Sequence, residues 1–175
     1  MNKKKNFEEE ISPHIEDLIK LAYTYVKNKQ LAEDMVQDVL FKAYEKQDQF
    51  RYDASYKTYL YKMTINRCHD YLRSWSYRNH LLTDTFTHFF TSSKSNEELM
   101  IEKEKNTTLG KEVLKLKPIY REVIILQYYK HFTTKEIAYL LDVSENTIKT
   151  RLLRAKEQLK KQLEQGGLAD EFKRA

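Results

Sequence analysis

Glycine and proline are nearly missing from this chain: 3 Gly and 2 Pro in 175 residues. So few turn-formers leave little room for hairpins or a sandwich of short strands. With 33% charged residues and abundant Lys, Glu and Leu, the expectation is a chain that is nearly all helix. Cys68 is the single cysteine, which excludes an intrachain disulfide and a cysteine-based zinc site. No stretch reaches the roughly 18 consecutive apolar residues that a membrane span needs. The N-terminal MNKKKNFEEE has lysines but no apolar run behind them, so a signal peptide is not expected and a cytoplasmic location is. There is no P-loop, no G-x-G-x-x-G and no H-E-x-x-H. The histidines, His14, His69, His80, His88 and His131, fall at no metal-ligand spacing. Asp34 and Asp38 lie four apart on one helix face, but nothing near them in sequence supplies further ligands for a cation. An enzyme is not expected, nor a metal, a cofactor or a small-molecule substrate.

What is present is concentrated in residues 117–163, KPIYREVIILQYYKHFTTKEIAYLLDVSENTIKTRLLRAKEQLKKQL. Pro118 suits a first helical position, where its missing N–H is no loss. The run 119–129 is apolar over more than half its surface and is expected to be buried. Thr133 and Glu136 have the spacing of a capping box, and Phe132 with Ile137 that of a hydrophobic staple. Ile137, Leu140 and Leu141 give the short helix that follows one apolar face. Asp142 and Val143 form a turn, Ser144 is a good N-cap, and Val143 with Ile148 repeats the staple spacing. Ile148, Leu152, Ala155, Leu159 and Leu163 then recur at helical period. Opposite lie Thr147, Lys149, Thr150, Arg151 and Arg154. Two capped helices across a short turn, the second with a small-polar and basic face, describe a helix-turn-helix. The plainer alternative is a three-helix bundle with a solvated basic face. Charge favours the nucleic-acid reading: residues 111–163 hold 12 Lys+Arg against 6 Asp+Glu, whereas residues 1–73 hold 13 against 12.

The N-terminal part reads as further amphipathic helix. Over 7–28, broken near Pro13, Ile15, Leu18, Ile19, Ala22, Tyr23 and Val26 recur at spacings of three and four and are expected in a core. Over 30–50, Leu31, Met35, Val36, Val39, Leu40 and Ala43 make a wide apolar stripe. Asp34, Gln37, Asp38, Phe41 and Glu45 lie on another face. An exposed Phe among acids, on a chain that is basic elsewhere, points to a protein partner with a basic surface. The stretch 51–78 holds 6 of the 13 tyrosines and the only Trp, interleaved with Arg51, Lys57, Lys62, Arg67, Arg73 and Arg78. Flat aromatics beside cations are the ingredients of a single-strand platform, on which stacking contributes ~1–3 kcal/mol per base. The competing reading is that Tyr59, Leu60, Met63 and Tyr71 are simply core. Residues 79–110 contain the Ser/Thr-rich TDTFTHFFTSSKSN, too long for a loop inside one compact domain. Helix is expected again from about 97 to 117, and residues 166–175 form a tail after Gly166–Gly167. There is no internal repeat.

Taken in order, three stretches resemble the extracytoplasmic-function sigma factors, the small members of the sigma-70 family of bacterial transcription initiation factors. LAEDMVQDVLFKAYEKQDQF is similar to the family's A-E-D-hydrophobic-x-Q-[DE] helix. FRYDASYKTYLYKMTINRCHDYLR is similar to its aromatic and Asn-x-x-x-Asp stretch. TTKEIAYLLDVSENTIKTRLLRAKEQLKKQL is similar to its helix-turn-helix. Together they cover about residues 10–76 and 112–163. Asn146 replaces the common Gly before the T-[VI]-K-[ST]-R run, and Tyr59 replaces the usual Trp, where it is expected to remain a large buried aromatic.

The resemblance implies an all-α protein of two small helical domains joined by a linker. Residues 1–78 would form the first domain, 79–110 the linker, 111–165 the helix-turn-helix domain and 166–175 the tail. Asp34, Gln37, Asp38 and Phe41 would dock the β′ clamp helices of core RNA polymerase, and the second domain would meet the β flap. Arg51, Tyr52, Asp53, Ser55, Tyr56 and Lys57 would capture bases of the −10 promoter element, with Lys62, Asn66 and Arg67 on the nontemplate strand. Lys135, Ser144, Asn146, Thr147, Lys149, Thr150, Arg151 and Arg154 would bind the −35 element as duplex. An anti-sigma factor would hold the protein inactive. The alternative function is a free-standing helix-turn-helix regulator, which has no use for an acid–aromatic docking face beside a strand platform.

Overall fold

The computed structural model describes residues 8–47, 55–74 and 108–165. Among these, every regular element is helical, in the order α1 (Ile15–Val26), α2 (Lys29–Glu45), α3 (Tyr56–Arg73), α4 (Thr108–Lys115), α5 (Pro118–Ile124), α6 (Thr134–Leu141) and α7 (Glu145–Gln165). A 3₁₀ turn at Ser12–His14, carrying Pro13, leads into α1, and a π-helical turn at Ile125–Tyr129 extends α5. The chain divides into two compact units, 1–87 and 88–175. The Ser/Thr-rich linker stretch, residues 51–54 of the −10 loop and the tail lie outside the described residues.

In the first unit α1, α2 and α3 pack each on the other two. The α1–α2 corner is tight. Lys27 turns it in the left-handed region at φ 55°, and its N–H donates to the Tyr23 carbonyl at 2.8 Å. Asn28 then caps α2, its Oδ1 accepting from the Leu31 N–H at 2.9 Å. Ser55 caps α3 in the same way through the Thr58 N–H at 3.1 Å. The core is built from Leu18, Leu21, Ala22 and Tyr25 of α1, Met35, Val36, Val39 and Ala43 of α2, and Leu60, Tyr61, Ile65 and Cys68 of α3. Buried Thr64 donates its hydroxyl to the Leu60 carbonyl at 2.9 Å, so it leaves no orphan polar group.

The α1 face differs from the expected stripe: Ile15, Ile19, Tyr23 and Val26 are only half-buried, while Leu21 and Tyr25 go inside. The reason is that α1 serves two neighbours. Tyr25 reaches across to α3, meeting the His69 ring edge-on at 5.5 Å between centroids. Tyr59, expected as a buried aromatic, is half-buried, and the large ring inside the core is Tyr61, whose OH donates to Asp17 Oδ2 at 3.4 Å. Burial, then Asp17, pushes the Tyr61 hydroxyl far above its usual range.

In the second unit α7 packs on α4, α5 and α6. Its stripe of Ile148, Leu152, Ala155, Leu159 and Leu163 is buried throughout, as the period requires. Pro118 opens α5. The run 119–129 is buried only over 121–126; Ile119, Tyr128 and Tyr129 are exposed. The π turn explains the far end, because its i→i+5 bonding puts more residues into the turn and shifts Tyr128 and Tyr129 out of the α-helical phase of the packed face. His131 at φ 59° then reverses the chain into α6. The capping box is present: the Thr133 N–H donates to Glu136 Oε2 at 2.8 Å and the Glu136 N–H to Thr133 Oγ1 at 3.3 Å. Its staple partners Phe132 and Ile137 are both buried.

Candidate protein and nucleic-acid interfaces

The outer face of α2 is acidic with one large apolar side chain. Phe41 is 62% exposed although it sits on a helix whose other side is tightly packed. Asp34 and Gln37 are exposed beside it, and Asp34 accepts from Gln30 Nε2 at 3.1 Å, which keeps its carboxylate on the surface. Asp38 is half-buried and accepts from two cations, Lys42 Nζ at 3.0 Å on its own helix and Arg67 Nε at 3.0 Å from α3. The Lys42 hydrogen bond is the largest cause that holds the Asp38 carboxyl below its usual range; burial opposes it, and the Arg67 hydrogen bond adds to the lowering. The candidate docking acid and a candidate strand-binding cation are thus partners, 29 residues apart in sequence.

On α3 the platform residues spread over several environments. Tyr56 meets Tyr59 edge-to-face at 5.8 Å, and Lys57 Nζ lies 5.8 Å from the centre of the buried Tyr61 ring. Lys62 is half-buried and Asn66 exposed. Asn66 and Arg67 are consecutive on α3, and Arg67 is turned to Asp38; Arg51, Tyr52 and Asp53 fall outside the described residues. Burial also acts on His14 and Cys68. His14 is pulled below its ordinary range by desolvation, then by Lys57, with Asp17 opposing. Desolvation pushes the Cys68 thiol up to about 12.

The helix-turn-helix is α6, a turn at Asp142 and α7. Asp142 adopts φ 52° as the C-cap, and the Val143 N–H closes the helix onto the Ala138 carbonyl at 3.1 Å. Ser144 starts α7: its Oγ accepts from the Thr147 N–H at 3.1 Å and lies 2.8 Å from Thr147 Oγ1. Thr134 Oγ1 at the start of α6 donates to Glu145 Oε1 at 2.9 Å, tying together the beginnings of the two helices. That bond, followed by Lys149 at 3.3 Å, lowers the Glu145 carboxyl. Asn146, Lys149, Thr150 and Arg154 are exposed along the outer face of α7, and Lys135 is exposed on α6. Thr150 donates its hydroxyl to the Asn146 carbonyl at 2.9 Å, leaving its methyl and Oγ1 on the surface. Ser144 and Thr147 are engaged in the cap, and Arg151 is engaged elsewhere: its Nη1 donates to Glu122 Oε1 at 3.1 Å.

Several residues of this surface do not follow from the periodicity alone. Glu122 is buried on α5, and the signal for it was the Arg-Glu pair inside an otherwise apolar run. Ile119 and Tyr120, at the start of α5, wall one side of a shallow recess whose other side is the N-terminal face of α7. Leu153 and Tyr139 are exposed apolar residues outside the two stripes. Lys156 Nζ lies 5.3 Å from the centre of the Tyr128 ring, a cation–π contact that covers part of one exposed aromatic.

Comparison with known proteins matches the same two segments. Residues 11–76 match Sigma-70 region 2, and residues 108–159 match Sigma-70, region 4. RNA polymerase sigma factor SigV of Bacillus subtilis (strain 168) is 30% identical over 153 residues, covering 87% of this chain and 88% of that protein. The chain belongs to the extracytoplasmic-function sigma factors of the sigma-70 family. ECF RNA polymerase sigma factor SigW of the same organism is 28% identical over 154 residues, covering 83% of this sigma factor and 82% of SigW. Among solved structures, the sigma factor RpoE in its complex with the anti-sigma factor NepR, from Bartonella quintana, is similar with a TM-score of 0.69 and 26% identity. That match covers 91% of this chain and 98% of RpoE. CnrH, in its complex with the cytosolic domain of CnrY, shares the fold at a TM-score of 0.66 and 21% identity, covering 93% of this chain and 90% of CnrH. Among the described residues no helix is long and apolar enough to cross a membrane.

Proposed function

We propose that this sigma factor is the dissociable specificity subunit of RNA polymerase for one class of promoters, acting in the cytoplasm by binding rather than by catalysis. Residues 1–78 engage core polymerase and the −10 element, 79–110 link, and 111–165 bind the −35 element. The observation that carries this reading is Phe41, 62% exposed beside Asp34, Gln37 and Asp38 on a helix otherwise committed to a core. An apolar ring held mostly in water among carboxylates adds little to the core and suits a partner surface with a basic rim and an apolar centre, as proposed for the β′ clamp helices. The free-standing regulator leaves that face without a purpose.

On the DNA side, Lys57, Lys62, Asn66 and Arg67 of α3 follow the displaced strand, and Arg51, Tyr52, Asp53, Ser55 and Tyr56 receive unstacked bases. The exposed Asn146, Lys149, Thr150 and Arg154 meet the −35 duplex, with Lys135 on phosphate. An anti-sigma factor, the kind of partner held by RpoE in its complex, covers these surfaces in the inactive state. The test is transcription in vitro from genomic fragments with purified core polymerase. Initiation at discrete start sites that depends on this protein supports the proposal; equal transcription with and without it refutes it.

A further inference from the structure

Glu122 is an unusual residue for the centre of a packed helix. It is 3% exposed, sits between buried Arg121 and Val123 on α5, and reaches Arg151 of the recognition helix at 3.1 Å. Arg121 points to the preceding helix, its Nη1 donating to the Leu114 carbonyl at 2.7 Å. Adjacent side chains of α5 thus tie it to the helix end before it and to the helix that follows the turn. A buried carboxylate needs a charge-assisted partner, because leaving it unpaired in a low-dielectric site is strongly unfavourable. Arg151 is therefore held by its acid. A guanidinium that reads guanine uses both arms of its fork on one base edge. With Nη1 on Glu122, one arm of that fork is already engaged and the guanidinium is drawn toward α5. Arg151 lies one turn after Ile148, at the edge of the buried stripe, and it shares the recess with Asn146, Thr150 and Arg154.

We infer that Arg151 is a positioning residue, an anchor that fixes the rotation of the recognition helix against buried Glu122, and that the neighbouring Asn146, Thr150 and Arg154 read the bases. This deepens the proposed −35 role and rests on it. A stripe of apolar side chains alone lets a helix roll by small angles at low cost, whereas an ion pair at the stripe's edge stops that roll. Base-edge hydrogen bonds tolerate little misplacement, so the anchor acts on every base the helix reads.

The experiment uses holoenzyme assembled with the full chain and a duplex from a promoter it transcribes, with an unrelated duplex as reference. The variants are R151M, E122Q and the double E122Q/R151M, each checked by thermal melt at the assay temperature. Both single variants are expected to lose specific binding by about tenfold to a hundredfold, and the double to lose no more than the worse single. The loss is spread across all −35 positions, and the salt dependence of binding is unchanged. The inference is overturned if E122Q binds like wild type while R151M loses preference at one base pair, which would make Arg151 a reader. It is equally overturned if R151M lowers the salt slope by about 0.9, the value of one phosphate contact. Should a single variant melt too low, the double, with both charges removed, provides the salt slope and the position profile by itself. A wild-type holoenzyme with no −35 preference would instead remove the reading of the helix-turn-helix on which this inference stands.

Discussion

Replacing Phe41 with alanine tests the docking face with little disturbance to the fold. An aromatic side chain carries roughly 150–250 Å² of surface, of which the 62% left exposed is about 90–155 Å². Burying that area against a partner at about 25 cal/mol/Å² is worth about 2–4 kcal/mol. Incomplete burial and the Cβ that remains reduce this to about 1.5–3 kcal/mol, or about 10–150-fold in the Kd for core polymerase. Stability should change by no more than about 0.5 kcal/mol, because the ring is largely outside the core and alanine favours helix. The assay is competition of labelled wild type from core polymerase by the variant, with urea unfolding in parallel. A Kd within about twofold of wild type, with unchanged unfolding, would refute the assignment, since desolvation of this ring could not then be part of docking.

Other expectations follow from the same geometry. Thr133→Ala removes the cap of α6 and should cost about 1 kcal/mol in urea unfolding of the full chain, without altering the base preference of whatever DNA binding remains. Cys68, buried and with its thiol pushed up to about 12, should react with a thiol reagent only through unfolding, so labelling at pH 8 should track added urea. Asp38 is held below its usual value near 3.8, so its ion pairs stabilise the fold above that pH and are lost as pH falls through the lowered value. Arg67→Ala should move the Asp38 titration upward in carboxylate NMR, part of the way, because Lys42 is the larger cause.

The C-terminal fold was the most legible part of the sequence because its signals are local. Thr133, Glu136 and Ser144 each satisfy backbone N–H groups within one turn, so spacing alone locates both helix starts. The five stripe residues of α7 face one packed side, and a single period describes them. Residues that serve two neighbours were harder. On α1, Leu21 and Tyr25 enter the core because α3 lies beside them, a fact no one-dimensional period contains. Tyr59 and Tyr61 are two apart in an aromatic run, and only the packing of α1 beside Asp17 decides that Tyr61 goes inside. The candidate sites divide in the same way. The exposure of Phe41 was foreseeable from its position opposite Met35 and Val39. The Arg67 partner of Asp38 and the Glu122 partner of Arg151 were not, since each of these pairs joins two helices across 29 residues of sequence.

The central claim is that one chain joins a polymerase-docking domain to a promoter-reading helix-turn-helix and that the two act only together with core enzyme. Permanganate reactivity of thymines on a transcribed promoter fragment tests it directly, with this protein alone, core polymerase alone, and both. The account predicts reactive thymines near the start site only when both are present, and their loss when Phe41→Ala is used at protein concentrations below its weakened Kd. A full, sequence-specific footprint from the protein alone, with no strand opening when core polymerase is added, would contradict it and restore the free-standing regulator.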